Sequence, residues 1–204
     1  MPPALTMRAG SPAQARQAGA ELVLLVLGYG LAGFGYIISA TFLPVIARTA
    51  LPGSLWLDLF WPIFGLGVVL GALLSTRLPM SLDRRGLLMG AYLLQASGIA
   101  VGLWSPSVVG FVAGSLLLGL PFTAISFFAM QEARRLQGGT AAAFMGLLTA
   151  TYGLGQVLGP LLVAELLRHM DAARGFEFAL GAAAASLLLG AGLFALMVRR
   201  DRLG

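Results

Sequence analysis

Six long apolar stretches, separated by short connections that hold most of the charged residues, constrain this sequence more than any other feature. They run at about Leu22–Ala47, Leu55–Thr76, Gly86–Trp104, Val108–Met130, Ala141–Leu167 and Phe178–Val198. A helix needs about 20 mostly apolar residues to span a bilayer. Charged residues make up only 10% of the chain, so one soluble core cannot hide this much apolar surface. The sequence predicts an all-α integral membrane protein with six transmembrane helices within residues 21–200 and the lipid bilayer as its surroundings.

The arginines predict how the helices are oriented. All 13 basic residues are arginines, and with the N-terminus inside only Arg48, Arg168 and Arg174 fall on the outer side. This bias follows the positive-inside rule, so we expect both termini in the cytoplasm, most naturally at a bacterial inner membrane. Residues 1–20 contain two arginines and no acidic residue, which predicts a disordered cytoplasmic tail. The net charge of +5 therefore reports topology and predicts no nucleic-acid partner.

An internal repeat links the second and fifth stretches. Gly65–Leu74 and Gly153–Leu162 are identical at eight of ten positions, at an offset of 88 residues. Gly33–Phe42 and Gly119–Phe128 show a weaker similarity between the first and fourth stretches. Units of about 22–104 and 108–198 then hold three helices each. Since three is odd, the second unit must enter the membrane inverted, as in many secondary transporters.

Enzymatic chemistry finds little support in the sequence. There is no cysteine and no lysine, and the single histidine, His169, falls in the connection after the fifth stretch. A buried Ser–His pair, a clustered set of metal ligands and a phosphate-binding loop with its lysine are all missing from the pattern. We therefore predict no catalytic residue, no metal site and no cofactor.

Polar residues inside the helices are the remaining candidates for function. Tyr29 and Tyr36 share one face of the first helix, and Thr149, Tyr152 and Gln156 share one face of the fifth. The full predicted set for a substrate cavity is Tyr29, Tyr36, Thr123, Ser126, Thr149, Tyr152 and Gln156. Two interpretations remain open: these side chains line a transport cavity, or they join helices through interhelical hydrogen bonds.

Two carboxylates lie within apolar stretches, and both are shallow. Asp58 is near the outer start of the second helix and Glu165 near the outer end of the fifth. They are candidates for proton or ion coupling, although a coupling carboxylate is usually deeper. The alternative is that they pair with Arg48 and Arg168 or contact water.

Two segments resemble a known family. Gly33–Arg48 and Leu148–Pro160 are similar to segments in the second half of the YbfB/YjiJ-type branch of the major facilitator superfamily. The resemblance covers roughly residues 20–200 and implies one six-helix half of a major facilitator fold. In such a fold, the first and fourth helices line the substrate cavity, the second and fifth flank it, and the third and sixth lie outside.

Two superfamily patterns extend the resemblance. Gly146, Gly155, Gly159 and Pro160 match the spacing G-x8-G-x3-G-P of the antiporter-associated pattern, although Val163 and Ala164 replace its final glycines. We expect these four residues to govern helix packing and bending.

The connection before the third helix carries Asp83, Arg84, Arg85 and Gly86, which resemble the D-R-x-G core of a cytoplasmic gating loop. Pro79 replaces the upstream glycine, and Leu87 and Leu88 replace the trailing basic pair. The resemblance implies that Asp83, Arg84 and Arg85 form the gating loop.

Length is the main departure from the family. A full member has two six-helix halves with the substrate cavity between them, whereas this chain of 204 residues matches one. The sequence therefore predicts a half-size permease that moves an unidentified small solute by alternating access and needs a homodimeric or complementary partner. The alternatives are a truncated or split transporter and a non-transporting interaction or assembly subunit.

Overall fold

Helices account for nearly the whole of the described chain. The computed structural model describes residues 12–50, 52–53, 58–79, 81–105 and 107–203. Within these ranges the order is α1 (Pro12–Ala50), α2 (Phe60–Arg77), α3 (Arg84–Trp104), α4 (Val108–Gln137), α5 (Ala141–His169) and α6 (Ala172–Leu203). A short 3-10 turn, Gly138–Thr140, separates α4 from α5. The all-helical prediction is confirmed for these ranges, which contain no strand.

Five continuous helical segments are long and apolar enough to cross a membrane. They are Gln17–Arg48, Phe60–Arg77, Arg84–Trp104, Val108–His169 and Ala172–Arg200. The fourth segment has 62 residues and includes α4, the 3-10 turn and α5. A straight helix of that length would measure about 90 Å, roughly three times the hydrocarbon thickness of a bilayer. The path breaks at Gly138, whose φ of +50° lies in the left-handed region that glycine enters most easily.

Several helices are longer than the hydropathy pattern indicates. α1 begins at Pro12, so residues 12–20 are helical where the sequence predicts a disordered tail; residues 1–11 lie outside the described ranges. α4 continues past the predicted end at Met130 to Gln137, and α6 extends beyond its predicted limits at both ends. The apolar runs that define the predicted limits end at the first charged residues. A helix can continue through polar residues because its backbone hydrogen bonds are internal.

The helices pack around a central pair. α1 packs mainly against α5 and α6, α4 packs mainly against α2 and α3, and α3 contacts α6. α1 and α4 meet each other over a smaller area. The core between the helices is filled by side chains with almost no exposure, including Leu25, Ile38, Phe60, Tyr92, Leu118 and Phe194.

The outward sides of α2 and α5 are left apolar. Leu66, Val69 and Leu73 on α2 are each more than half exposed, as are Leu154, Val157 and Leu161 on α5. Such surface is unfavourable in water but costs nothing against lipid tails or another apolar helix. The flanking helices are therefore suited to a membrane interior.

Candidate functional site

An aromatic cluster lies where α1, α2, α4 and α5 approach each other. We define it as Tyr29, Tyr36, Phe64, Phe122 and Tyr152. The ring centroids of Tyr36 and Phe122 are 4.5 Å apart, and those of Tyr29 and Tyr152 are 4.8 Å apart. Phe64 lies 6.1 Å from Tyr36 and 5.9 Å from Phe122. These separations are typical of favourable aromatic pairs, so the cluster holds the four helices together at one face.

The members of the cluster differ in how far they are covered. Tyr29 is only 5% exposed and Phe64 only 6%, whereas Tyr36, Phe122 and Tyr152 are half-buried. The three half-buried rings come from the two central helices and from α5. The six-helix bundle therefore leaves part of the aromatic surface uncovered.

Three predicted cavity residues act as links between helices. The Tyr29 hydroxyl donates to Ser126 Oγ at 3.1 Å, which joins α1 to α4. Thr123 Oγ1 donates to the backbone carbonyl of Val68 at 3.0 Å, which joins α4 to α2. For Tyr29, Thr123 and Ser126, the contacts fit the interhelical-bond interpretation that the sequence leaves open.

The predicted residues on α5 are placed differently. Thr149 is exposed and its hydroxyl donates to the carbonyl of Met145 on its own helix. Gln156 is half-buried and makes no side-chain hydrogen bond to another described residue. Gln156 therefore keeps a free amide beside the aromatic cluster, one turn along α5 from Tyr152.

A second site lies at the end of the bundle where α1, α3 and α4 bring charges together. We call it the charge cluster and define it as Glu21, Arg85, Glu132 and Arg135. Arg85 Nε donates to Glu132 Oε1 at 3.1 Å, and their side chains are 3% and 0% exposed. Arg85 Nη1 lies 3.7 Å from Glu21 Oε1 and donates to the backbone carbonyl of Met197 on α6 at 3.0 Å.

Arg135 completes the charge cluster from the half-exposed side. Its Nε donates to Glu132 Oε2 at 2.9 Å, and its Nη2 donates to Glu132 Oε1 at 2.7 Å and to Glu21 Oε2 at 3.3 Å. The cluster contains two guanidinium groups and two carboxylates, and the Asp83 carboxylate lies 4.0 Å from Arg85 Nε beside them. Burial is tolerable for such a set because each charge has an opposite partner and shared hydrogen bonds.

The predicted gating residues begin α3 beside this cluster. The Asp83 carboxylate accepts a hydrogen bond from the backbone N–H of Arg85 at 3.0 Å, so Asp83 is the N-cap of α3. Arg84 Nε donates to Gln131 Oε1 on α4 at 3.2 Å. Arg84 and Arg85 are thus helical residues bound to α4, and Arg85 is buried where a loop residue would be exposed. For these two arginines the expected loop placement is wrong, because α3 starts at Arg84, two residues before its predicted start at Gly86.

Glu21 and Glu132 are not among the functional residues that the sequence predicts. Its helix limits place Glu132 just beyond the fourth helix and Glu21 at the edge of the tail. The available signal was the pair Glu132 and Arg135, whose spacing of three residues puts both on one face once the helix is extended. The long-range partner Arg85 has no local signal.

Two further buried polar side chains join α3 to its neighbours. The Tyr92 hydroxyl donates to the carbonyl of Gly28 on α1 at 2.8 Å. Gln95 Nε2 lies 3.5 Å from the carbonyl of Leu118 on α4. Both side chains are at most 1% exposed, so these contacts contribute to helix association inside the bundle.

The glycines of the antiporter-like pattern fall into two groups. Gly155 and Gly159 are buried against α1, and a Cβ at Gly155 would collide with the carbonyl of Gly30. Gly146 has open space around it, and Pro160 is exposed within α5. Close helix packing accounts for the first pair but not for Gly146.

The two shallow carboxylates lie at exposed ion pairs. Asp58 Oδ1 is 3.8 Å from Arg48 Nη2, and Glu165 Oε2 accepts from Arg168 at 2.9 Å. His169 Nε2 is also 2.8 Å from Glu165 Oε1. All of these side chains are more than half exposed, so each pair contributes at most about 1 kcal/mol.

A groove of about 470 Å³ lies away from both sites, where α1, α5 and α6 meet. Its walls are apolar and include Leu27, Phe34, Leu158 and Leu193. The predicted cavity side chains do not line it. Its chemistry is that of a lipid-facing surface.

Apolar helices with close glycine contacts and with charges confined to their ends define an α-helical integral membrane protein. The chain belongs to the family described as "uncharacterised MFS-type transporter YbfB", which matches residues 1–195. This confirms the resemblance to that branch of the major facilitator superfamily. A search of curated proteins finds no match to the chain. The family is one of membrane transporters, which points to a non-enzymatic role.

Proposed function

We propose that the chain is one half of a major facilitator-type permease that moves a small solute by alternating access. In this proposal it crosses the membrane six times, and a second copy or a complementary six-helix chain supplies the other half. The observation that carries it is the packing order: exchanging α1 with α4, α2 with α5 and α3 with α6 turns the principal helix contacts into one another, α1 with α5 into α4 with α2 and α1 with α6 into α4 with α3.

Individual glycine contacts support the exchange. A Cβ at Gly33 on α1 would collide with the carbonyl of Tyr152, and a Cβ at Gly119 on α4 would collide with the carbonyl of Phe64. Gly33 and Gly119 are 86 residues apart, and Phe64 and Tyr152 are 88 apart. The same contact is therefore made twice, each time between the first helix of one unit and the second helix of the other.

The glycines that α2 and α5 contribute to the same helix contacts are repeated as well. Gly67 on α2 faces the carbonyl of Leu116 and the N–H of Leu120, whereas Gly155 on α5 faces the carbonyl of Gly30 and the N–H of Phe34. Gly30 and Phe34 are each 86 residues before Leu116 and Leu120. Two three-helix units in one chain have opposite directions, so this repetition favours an inverted repeat.

Orientation follows from the charge distribution. The charge cluster, Arg77 and Arg134 lie at the same end of the helices as the start of α1 and the end of α6. The positive-inside rule favours the cytoplasm for that end and for both termini. Asp83 and Arg84 would then form the cytoplasmic gate beside the charge cluster, with Glu165 and Asp58 as coupling candidates on the outer side.

The aromatic cluster is the proposed substrate-facing surface. It lies on the four helices that line and flank the cavity in the proposed fold, and part of it is uncovered in one six-helix unit. Substrate sites in inverted-repeat transporters lie near the bilayer midplane at the interface between repeats. A second half placed over this surface would enclose the cavity.

A rival function is that of a non-transporting membrane subunit. The observation in its favour is the bond between Tyr29 and Ser126, which ties α1 to α4 across the predicted cavity wall. A dry bundle would keep water-soluble thiol reagents away from this face.

Single-cysteine labelling separates the two functions, because the chain contains no native cysteine. Tyr36→Cys and Gln156→Cys should react with a water-soluble maleimide in native membranes, whereas Ile99→Cys, at a fully buried position, should not. Failure of both test sites would overturn the cavity. Solute counterflow with the purified chain in proteoliposomes, with and without a complementary half, then tests transport and partner. Transport only with the complementary half would overturn the homodimer.

A further inference from the structure

We propose that the aromatic cluster selects a flat aromatic solute without net charge. The proposal rests on the permease function above and names the substrate class for its cavity. Three observations carry it: the close pairing of the rings, the absence of charge at this depth, and free hydrogen-bonding groups beside the rings.

The rings form two levels along α1. Tyr29 pairs with Tyr152 at one level and Tyr36 pairs with Phe122 at the next. The two tyrosines are seven residues apart, or about 10 Å along the helix axis. A one- or two-ring solute fits this spacing and can stack on the half-buried faces of Tyr36, Phe122 and Tyr152.

The helix segments that surround the aromatic cluster contain no charged residue. The uncharged runs are residues 22–47 on α1, 60–76 on α2, 108–131 on α4 and 141–164 on α5. The first charge along α1 from Tyr29 is Glu21, eight residues or about 12 Å away, and it is already paired. Glu132, six residues beyond Ser126, is bound by Arg85 and Arg135.

An ionised solute would lose its hydration here without gaining a counter-charge. In a low-dielectric site that loss exceeds what hydroxyls and an amide return, and the attraction of a cation to a ring face offsets only part of it. A neutral solute avoids the loss and keeps the stacking. The surface therefore discriminates by charge as well as by shape.

Free polar groups then orient the neutral solute. The Tyr36 and Tyr152 hydroxyls and the Gln156 amide make no hydrogen bond to another described residue. The amide provides both donors and acceptors, and each hydroxyl provides one donor. A phenol or indole group presents the matching N–H or O–H at the edge of its ring.

The test uses Val68→Cys as a reporter in the otherwise cysteine-free chain. Val68 is half-buried on α2, one turn from Phe64, and is the repeat counterpart of Gln156. Its maleimide labelling is followed in nanodiscs with indole as the neutral aromatic probe. Benzoate and benzylamine are the charged probes, and cyclohexanol is the neutral probe without a ring system. Thr140→Cys, exposed in the 3-10 turn, is the reporter that should not respond.

Indole should slow labelling of Val68→Cys, and the other probes should not. Adding Tyr36→Leu should raise the indole concentration needed for half protection by about tenfold, since it removes a ring pair worth about that factor. Adding Tyr92→Phe should leave it unchanged, because the Tyr92 side chain is fully buried and offers no ring face to a solute. Equal protection by cyclohexanol or by a charged probe, or none by indole, would overturn the proposal.

Counterflow in proteoliposomes separates this proposal from the permease function. Movement of charged aromatic solutes without movement of indole would overturn the substrate class and retain the permease. Protection by indole without movement of any solute, even with a complementary half, would overturn the permease and retain a binding surface for neutral rings.

Discussion

Arg85 at the start of α3 and Glu132 near the end of α4 form a hydrogen-bonded ion pair of 3.1 Å in which both side chains are almost fully buried. Glu21 on α1 and Arg135 on α4 add a second carboxylate and a second guanidinium group. Removing one member leaves an uncompensated buried charge, so the four groups stabilise the fold only as a set.

The first prediction concerns that set. Arg85→Met and Glu132→Gln should each destabilise the folded bundle by about 3–5 kcal/mol. Arg134→Gln, an exposed neighbour on α4, should stay within about 0.5 kcal/mol of the unchanged protein. Unfolding of the purified chains in detergent measures both. Equal stability of the Glu132 and Arg134 variants would show that the charge cluster is not structural.

The second prediction tests the repeated glycine contacts. Gly33→Ala and Gly119→Ala place a methyl group against the carbonyls of Tyr152 and Phe64, and both should lose about 1–3 kcal/mol through overpacking. Gly146→Ala, with open space around it, should be neutral or slightly stabilising. The same unfolding assay applies. A large loss at one repeated glycine and none at the other would argue against equivalent packing in the two units.

The third prediction concerns the link between the central helices. Tyr29→Phe and Ser126→Ala should show a coupling energy of about 0.6–1.7 kcal/mol in a double-mutant cycle, because they remove the same hydrogen bond. Tyr36→Phe removes a hydroxyl with no bond to a described residue and is the matched control. Additive effects of Tyr29→Phe and Ser126→Ala would mean that the bond contributes nothing.

The fourth prediction tests the number of crossings. Cysteines at Thr140 and at Asp171 should react with a membrane-impermeant maleimide from opposite sides of the membrane, Thr140 from the cytoplasm. The reason is that α4 ends beside the charge cluster, whereas the start of α6 packs near the end of α1 through Phe42 and Phe176. Inside-out and right-side-out vesicles give the measurement. Labelling of both sites from one side would contradict separate crossings by α4 and α5.

Much of the helical framework is predictable because it depends on local composition. Runs of apolar residues predict α3, the end of α2 and the starts of α4 and α5 to within two residues, whereas α2 begins five residues after its predicted start at Leu55. The glycine repeat also indicates which helices approach closely, and Gly67 and Gly155 do face backbone on α4 and α1. Both signals work because a helix in contact with lipid requires apolar residues, and a close contact between two helices requires glycine at the point of contact.

The charge cluster is not predictable in the same way. Glu21 and Arg135 are 114 positions apart, and Arg85 and Glu132 are 47 apart, so no local pattern joins them. Hydropathy also hides them, since a charged residue lowers the score whether it meets water or a buried partner. The sequence therefore places the polar start of α1 in a tail and the polar end of α4 in a loop, although packing keeps both helical.

The buried pair of Arg85 and Glu132 also has a consequence for biosynthesis. Arg85 leaves the ribosome 47 residues before Glu132. Its guanidinium is therefore synthesised before the Glu132 carboxylate, and α3 and most of α4 enter the membrane in that interval. An ammonium or guanidinium near a helix end can stay in the headgroup region during that interval. The bundle can close around α3 only after α4 has been made, which imposes an order of assembly on a chain whose apolar helices would otherwise associate freely.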